Sequence, residues 1–71
     1  MRYLVVTEES ETGFGAYVPD LPGCIAAAAS LDEVTRLIHE AIEFHLDGLA
    51  EERLPIPPPH SSPEVVEVGA R

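Results

Sequence analysis

Few residues in this chain have types and spacings that could support chemistry. Cys24 is the single cysteine, and a thiol becomes a nucleophile only as the thiolate, with a base to hold its proton. No histidine lies near it in sequence. His45 would complete a Cys–His pair only if the fold carried it to Cys24. The competing reading makes Cys24 a small core residue and His45 a packing residue on an apolar helix stripe. His39 and Glu43 stand four apart, on one polar helix face, where they can pair or hold a metal weakly. Two ligands do not make a metal site. His60 falls in a proline-rich loop with no evident role. These residues assign no catalytic group, no metal and no cofactor, and the chain reads as non-enzymatic.

The bulk numbers limit what else it can be. Seventy-one residues form one domain at most, and a chain of this size buries only about 60% of its unfolded surface. One cysteine excludes an internal disulfide and fits a reducing cytoplasm. Stability must come from a well-packed core, from oligomerisation, or from both. Thirteen acidic residues face four arginines and no lysine, for a net charge of −9. Such a surface repels nucleic-acid phosphates and anionic lipid and attracts basic partners, although it also serves plain solubility. No stretch is long and apolar enough to cross a bilayer, and the N-terminus turns polar too early for a signal peptide. The expectation is a cytoplasmic protein without direct nucleic-acid or membrane contact.

Hydrophobic patterning places the elements. Tyr3 to Thr7 is β-branched and aromatic and reads as a strand. Glu8 to Gly13 is a polar loop, and Phe14 to Val18 alternates as a second strand, so the two suggest an antiparallel hairpin. Pro19-Asp20-Leu21-Pro22-Gly23-Cys24 is a stiff connector in which Pro22-Gly23 suits the centre of a type II turn. Residues 24–28 read as a short third strand, though their alanines also favour helix. Ser30 and Glu33 form a capping-box pattern, with Asp32 and Glu33 suiting the positive end of a helix dipole. Val34, Ile38, Ala41, Ile42, His45 and Leu49 then recur at helical spacing, predicting a helix over about 31–52. Asp32, Arg36, Glu40, Glu43 and Asp47 fall on its other side. The proline-rich stretch 54–63 is an extended connector, with docking to an aromatic groove as its other use. Residues 64–68 complete the order β-β-β-α-β as a final strand.

The hairpin leading into PDLPGC at 19–24, the Ser30-Leu31-Asp32-Glu33-Val34 helix start, His39-Glu40-Ala41-Ile42 within the helix, and the prolines after it resemble the HicB-like antitoxin family. The resemblance runs from about Tyr3 to about Val68. It implies an α+β fold: a mainly antiparallel four-stranded sheet in the order 3-2-1-4, with one helix packed on one face, a partial RNase H-like arrangement. The whole chain, 1–71, would be one such domain. It also implies an antitoxin role, in which the domain binds and neutralises a small basic HicA-type mRNA-interferase toxin. Where relatives often have Gly-Asp-Thr before the helix, this chain has Ala28-Ala29-Ser30, and serine keeps the capping chemistry. Longer relatives carry a DNA-binding segment after the sheet domain. The chain's end at Arg71 leads to the expectation that it does not contact operator DNA itself.

An RNase H-like sheet raises the question of nuclease chemistry, which needs carboxylates clustered on strands and an adjacent helix. Tyr3–Thr7 and Phe14–Val18 contain none. One helix covers one face of a sheet, and strand 1 is apolar on both sides, with Leu4 and Val6 on one and Tyr3 and Val5 on the other. The uncovered face predicts self-association, as a dimer or tetramer, or partner binding. Tyr3, Tyr17 and Asp20 are the candidate partner contacts. PDLPGC reads either as such a contact loop or as the turn that sets strand register. The alternative to an antitoxin is a solitary homo-oligomeric interaction module with no toxin and no catalysis.

Overall fold

The computed structural model describes residues 1–69. Three strands, β1 (Val6–Ser10), β2 (Gly13–Tyr17) and β3 (Ile25–Ala28), form an antiparallel sheet in the order β1-β2-β3, and one helix, α1 (Leu31–Glu51), follows. The fold is therefore α+β. Val6 pairs with Tyr17 and Ser10 with Gly13, leaving only Glu11 and Thr12 as the hairpin loop. The polar run expected as a loop from residue 8 is thus largely strand. At the hairpin tip both faces meet water, so the exposed Glu8, Glu9 and Ser10 cost nothing there. Gly13 closes the hairpin with φ +153°, and a Cβ on it would press against the Ala28 carbonyl oxygen. Only glycine fits this position without strain.

The segment expected as the first strand, 3–7, joins the ladder only from Val6. Its partner β2 ends at Tyr17, because Val18 leaves the sheet to start the connector. Two successive turns follow: the Leu21 N–H donates to the Val18 carbonyl (3.1 Å) and the Cys24 N–H to the Leu21 carbonyl (3.1 Å). In the second, Pro22 and Gly23 are central, with Gly23 at φ +85°, as a type II turn requires. A bond from the Val18 N–H to the Cys24 carbonyl (3.2 Å) closes the loop. Leu21, at its apex, is fully buried.

One layer of core lies between sheet and helix. Ala16, Val18, Leu21, Cys24, Val34 and Ile38 are buried, and Tyr3, Val5, Phe14, Ala26, Ala28, Ala41, Ile42 and Leu46 pack against them. Fully burying a side chain such as Leu21, Val34 or Ile38 is worth about 1.5–3 kcal/mol each. Ser30 caps α1 in extended geometry, its Oγ accepting from the Glu33 N–H at 3.2 Å. At the other end the Leu54 N–H donates to the Leu49 carbonyl (2.9 Å) and the Arg53 N–H to the Ala50 carbonyl (3.1 Å). This is a Schellman closure with Arg53, φ +58°, at the left-handed position usually given to glycine.

The expected fourth strand over 64–68 is absent. Among the described residues the sheet has three strands, and Val65, Val66 and Val68 are exposed, Val65 at 97%. β-Branched composition favours a strand only where a neighbouring edge supplies the ladder, and no strand pairs with this segment. The fold is drawn out accordingly. Its radius of gyration is 14.4 Å, against about 11 Å for a compact chain of this length.

Three backbone positions predict stability changes of known sign. Gly13→Ala should destabilise by about 1–3 kcal/mol. Gly48, in the last turn of α1 with open space around it, should gain about 0.5–1 kcal/mol as alanine. Arg53→Gly should gain about 1 kcal/mol by relieving the left-handed residue. Urea unfolding of the three variants measures all of them, and a stabilised Gly13→Ala would contradict the hairpin geometry.

Candidate partner-binding surface

Strand pleating divides the sheet into two unlike faces. Residues directly paired across the ladder share a face, so Ala16–Ala26 and Phe14–Ala28 look toward α1. On the other face Val6, Tyr17 and Ile25 form one row, and Glu8, Gly15 and Ala27 the next. No element covers this second face among the described residues. Ile25 is 70% exposed and Tyr17 40%. An apolar row across three strands, with glycine and alanine beside it, is a flat surface suited to burial against another protein.

The acidic residues gather elsewhere. Asp32, Glu33, Glu40, Glu43, Asp47 and Glu51 all lie exposed on α1, and among the described residues only one ion pair neutralises any of them, Arg36 to Glu40 at 2.6 Å. An exposed i,i+4 pair of this kind adds only about 0.3–0.5 kcal/mol. The outer side of the helix is thus a strip of negative potential separated by the whole domain from the apolar row.

Asp20 is placed quite differently from the expectation that it meets a partner. Its side chain is 2% exposed. Oδ2 accepts the backbone N–H groups of His60 and Ser61, each at 2.9 Å, and Oδ1 accepts the Ser61 hydroxyl at 2.8 Å. The His60 Nδ1 lies 3.2 Å from Oδ1. Burial by itself would push this carboxyl up, but the hydrogen bonds from His60 and Ser61, with the His60 ring adding attraction, hold it below its ordinary value. Asp20 is therefore a clip on the C-terminal connector, its carboxylate turned inward onto His60 and Ser61. Tyr3 does a similar job: half-buried, its hydroxyl donates to the Pro57 carbonyl. Of the three candidate contacts, Tyr17 is the one that faces outward.

The residues with catalytic potential are not assembled for it. Cys24 is sealed in the core, and its burial pushes the thiol up, away from the reactive thiolate. His45 is half-buried along the helix, while His39 and Glu43 are exposed beside Met1, Tyr3 and Val5. Among the described residues no group of three or more His, Cys, Asp or Glu is placed to hold a metal ion. No described helix is long and apolar enough to cross a membrane.

The sequence pattern of a family described as the HicB-like antitoxin of bacterial toxin-antitoxin systems matches residues 3–68. The chain belongs to the HicB-like antitoxin family. UPF0150 proteins of Archaeoglobus fulgidus and Helicobacter pylori are similar to it, at 44% identity over 48 residues and 43% over 49. These matches cover 66% and 69% of this chain and 70% and 68% of the relatives. An uncharacterised protein from the rep-hol intergenic region of Haemophilus phage HP1 is 37% identical over 57 residues, 80% of this chain but only 43% of the phage protein. This chain thus corresponds to less than half of that relative's length. Among solved structures, a chain of the HicA3 and HicB3 toxin-antitoxin complex superposes with a TM-score of 0.66 at 27% identity, over 82% of this chain and 72% of that one.

For this HicB-like chain, sequence reasoning missed Ser61 and Pro57 as partners of Asp20 and Tyr3, since both pairings span 40 residues or more. Ile25, in the outward row, was readable only as part of a strand. Phe44, exposed on α1, falls off its core stripe, so helical spacing alone gives it no role.

The clip predicts a local pH response. With its folded pKa depressed, Asp20 stabilises the closed connector above the ordinary carboxylate range, and that contribution is lost as pH falls through the folded value. Hydrogen exchange at the His60 and Ser61 amides, corrected for intrinsic rates, should show protection at neutral pH that disappears in acid. In Asp20→Asn these amides should be less protected at neutral pH and nearly insensitive to acid. Equal protection in the two proteins at pH 7 would remove Asp20 from this role.

Proposed function

We propose that this chain is an antitoxin domain that binds a small basic HicA-type mRNA-interferase toxin and holds it inactive. The observation that carries the reading is the likeness to a chain whose solved structure is a toxin–antitoxin complex, within a family that the sequence shares along 3–68. The charge supports it. A ribonuclease that grips RNA phosphates presents a basic surface, and a protein of net charge −9 is attracted to such a surface while being repelled by the RNA itself. The domain acts by occupying that surface, so it needs no cofactor or catalysis of its own. It works in the cytoplasm, where the toxin's mRNA substrates are. Its order of three strands and a helix is read as the first part of a partial RNase H-like arrangement.

Self-association belongs to the same reading. The uncovered Val6–Tyr17–Ile25 row favours a homo-oligomer, a dimer or tetramer packed sheet to sheet, with Tyr17 at the contact and the acidic helices turned outward. This placement keeps like charges apart and leaves the negative strip for the toxin. A solitary oligomer with no toxin is the second reading that the same row supports.

Two measurements test these statements separately. Co-expression with the HicA-type protein of the same genome should restore growth and abolish RNA cleavage, and affinity should fall with rising salt. RNA cleavage unchanged at saturating antitoxin would leave only the solitary module. Ile25→Glu should lower the mass seen in sedimentation equilibrium without changing the helical circular dichroism. A monomer in the unmodified protein at high micromolar concentration excludes the sheet-to-sheet oligomer.

A further inference from the structure

The last two turns of α1 combine three features that are unfavourable in the isolated domain. Phe44 is 82% exposed, the most exposed aromatic in the structure. At 100° per residue it lies on one flank of the helix with Leu37 and Gly48, beside the Val34–Ile38–Ala41 stripe that meets the sheet. Gly48 sits four residues after Phe44, and a Cβ added there would meet nothing within 4 Å. Neither a turn nor close packing within the chain accounts for a glycine at this point in a helix, where it weakens the local structure. The helix also places Glu51 at its negative end and Glu52 at its C-cap, with no basic residue in the last turn. Carboxylates there oppose the helix dipole.

Each feature becomes favourable against one kind of surface. Local rules broken together at one place mark a functional site more often than an accident of sequence. We infer that the Phe44–Gly48 flank of α1 is the docking point for the basic protein partner, with Phe44 as the apolar anchor and Gly48 as a notch that admits the partner's backbone. The inference rests on the antitoxin reading and specifies where the toxin sits. Glu40, Asp47 and Glu51 border the flank, giving an aromatic anchor inside a charged rim, the arrangement typical of interface hot spots. Cationic groups of the partner would lie against these carboxylates and offset the unfavourable helix end. A second copy of this chain is the wrong occupant on electrostatic grounds. It would bring Glu40, Asp47 and Glu51 against their own copies, with Arg36 already engaged by Glu40. An anionic membrane is repelled by the same charges.

The test uses the full chain and the purified HicA-type toxin from the same genome, titrated calorimetrically at two salt concentrations. Phe44→Ala should weaken binding by roughly 30-fold or more, as expected of a hot-spot aromatic. Gly48→Gln should raise the Tm of the free domain and yet weaken toxin binding, an opposition that simple destabilisation cannot produce. Asp47→Asn with Glu51→Gln should flatten the salt dependence. If the unmodified chain binds while Phe44→Ala and Gly48→Gln bind equally well, the toxin docks elsewhere and this inference fails with the antitoxin reading intact. If the unmodified chain does not bind the toxin, the antitoxin reading itself fails and takes this inference with it. Loss of a self-assembled oligomer on Phe44→Ala, seen by sedimentation, assigns the flank to a second copy and overturns the proposal.

Discussion

Two adjacent side chains in the loop between β2 and β3 point in opposite directions, and most of the fold hangs on that division. Leu21 enters the core against Val34 and Ile38, while Asp20 reaches the other way to grip His60 and Ser61. Pro19, Pro22 and Gly23 make this possible by fixing two consecutive turns, so that both residues leave a loop of limited freedom. A loop that is expensive to reshape can hold a buried carboxylate in place. Asp20 in turn keeps the proline-rich connector against the body. Without it, the described residues after Leu54 would keep a single hydrogen-bonded tie to the domain, from the Tyr3 hydroxyl to the Pro57 carbonyl.

This economy suits a protein with little core. Six buried apolar residues lie between one helix and three short strands, and the sheet keeps one face bare. A larger domain would cover that face with a second helix. Here no element covers that face among the described residues, and the two sides of the layer differ in chemistry: an apolar row on the sheet and carboxylates on the helix. Like-charged helices repel, so oligomerisation through the sheet and recognition of a basic partner through the helix need not compete. The division follows from the sequence periods themselves, since alternate strand residues must face away from α1 and the helix residues opposite its stripe must face water.

The parts of the structure legible in the sequence are those that local physics decides. Ser30 and Glu33 announce the start of α1 because a cap is satisfied within four residues, and Val34, Ile38 and Ala41 give its buried stripe from spacing alone. Pro22-Gly23 reads as a turn for the same reason. What depends on distant chain was not legible. Asp20 looks like an exposed loop acid until Ser61 is found beside it. The segment 64–68 has the composition of a strand but no edge to pair with, and the hairpin tip has the composition of a loop although its backbone continues the ladder. In each case composition reports how a segment behaves once a neighbour is given, and the neighbour is what the sequence does not reveal.

Phe44 and Gly48 show why the candidate site was harder to read than the fold. A core residue advertises itself by periodicity, because burial selects the same face turn after turn. A contact residue breaks periodicity, and one exposed aromatic within a helix is individually unremarkable. What distinguishes it here is coincidence in space: an aromatic, a glycine without an internal purpose and carboxylates at the wrong end of a dipole, all within two turns. None of the three improves the isolated domain. A cationic protein surface is the one environment in which all three gain at once, and that asymmetry between the free and bound chain is the physical case for placing the partner there.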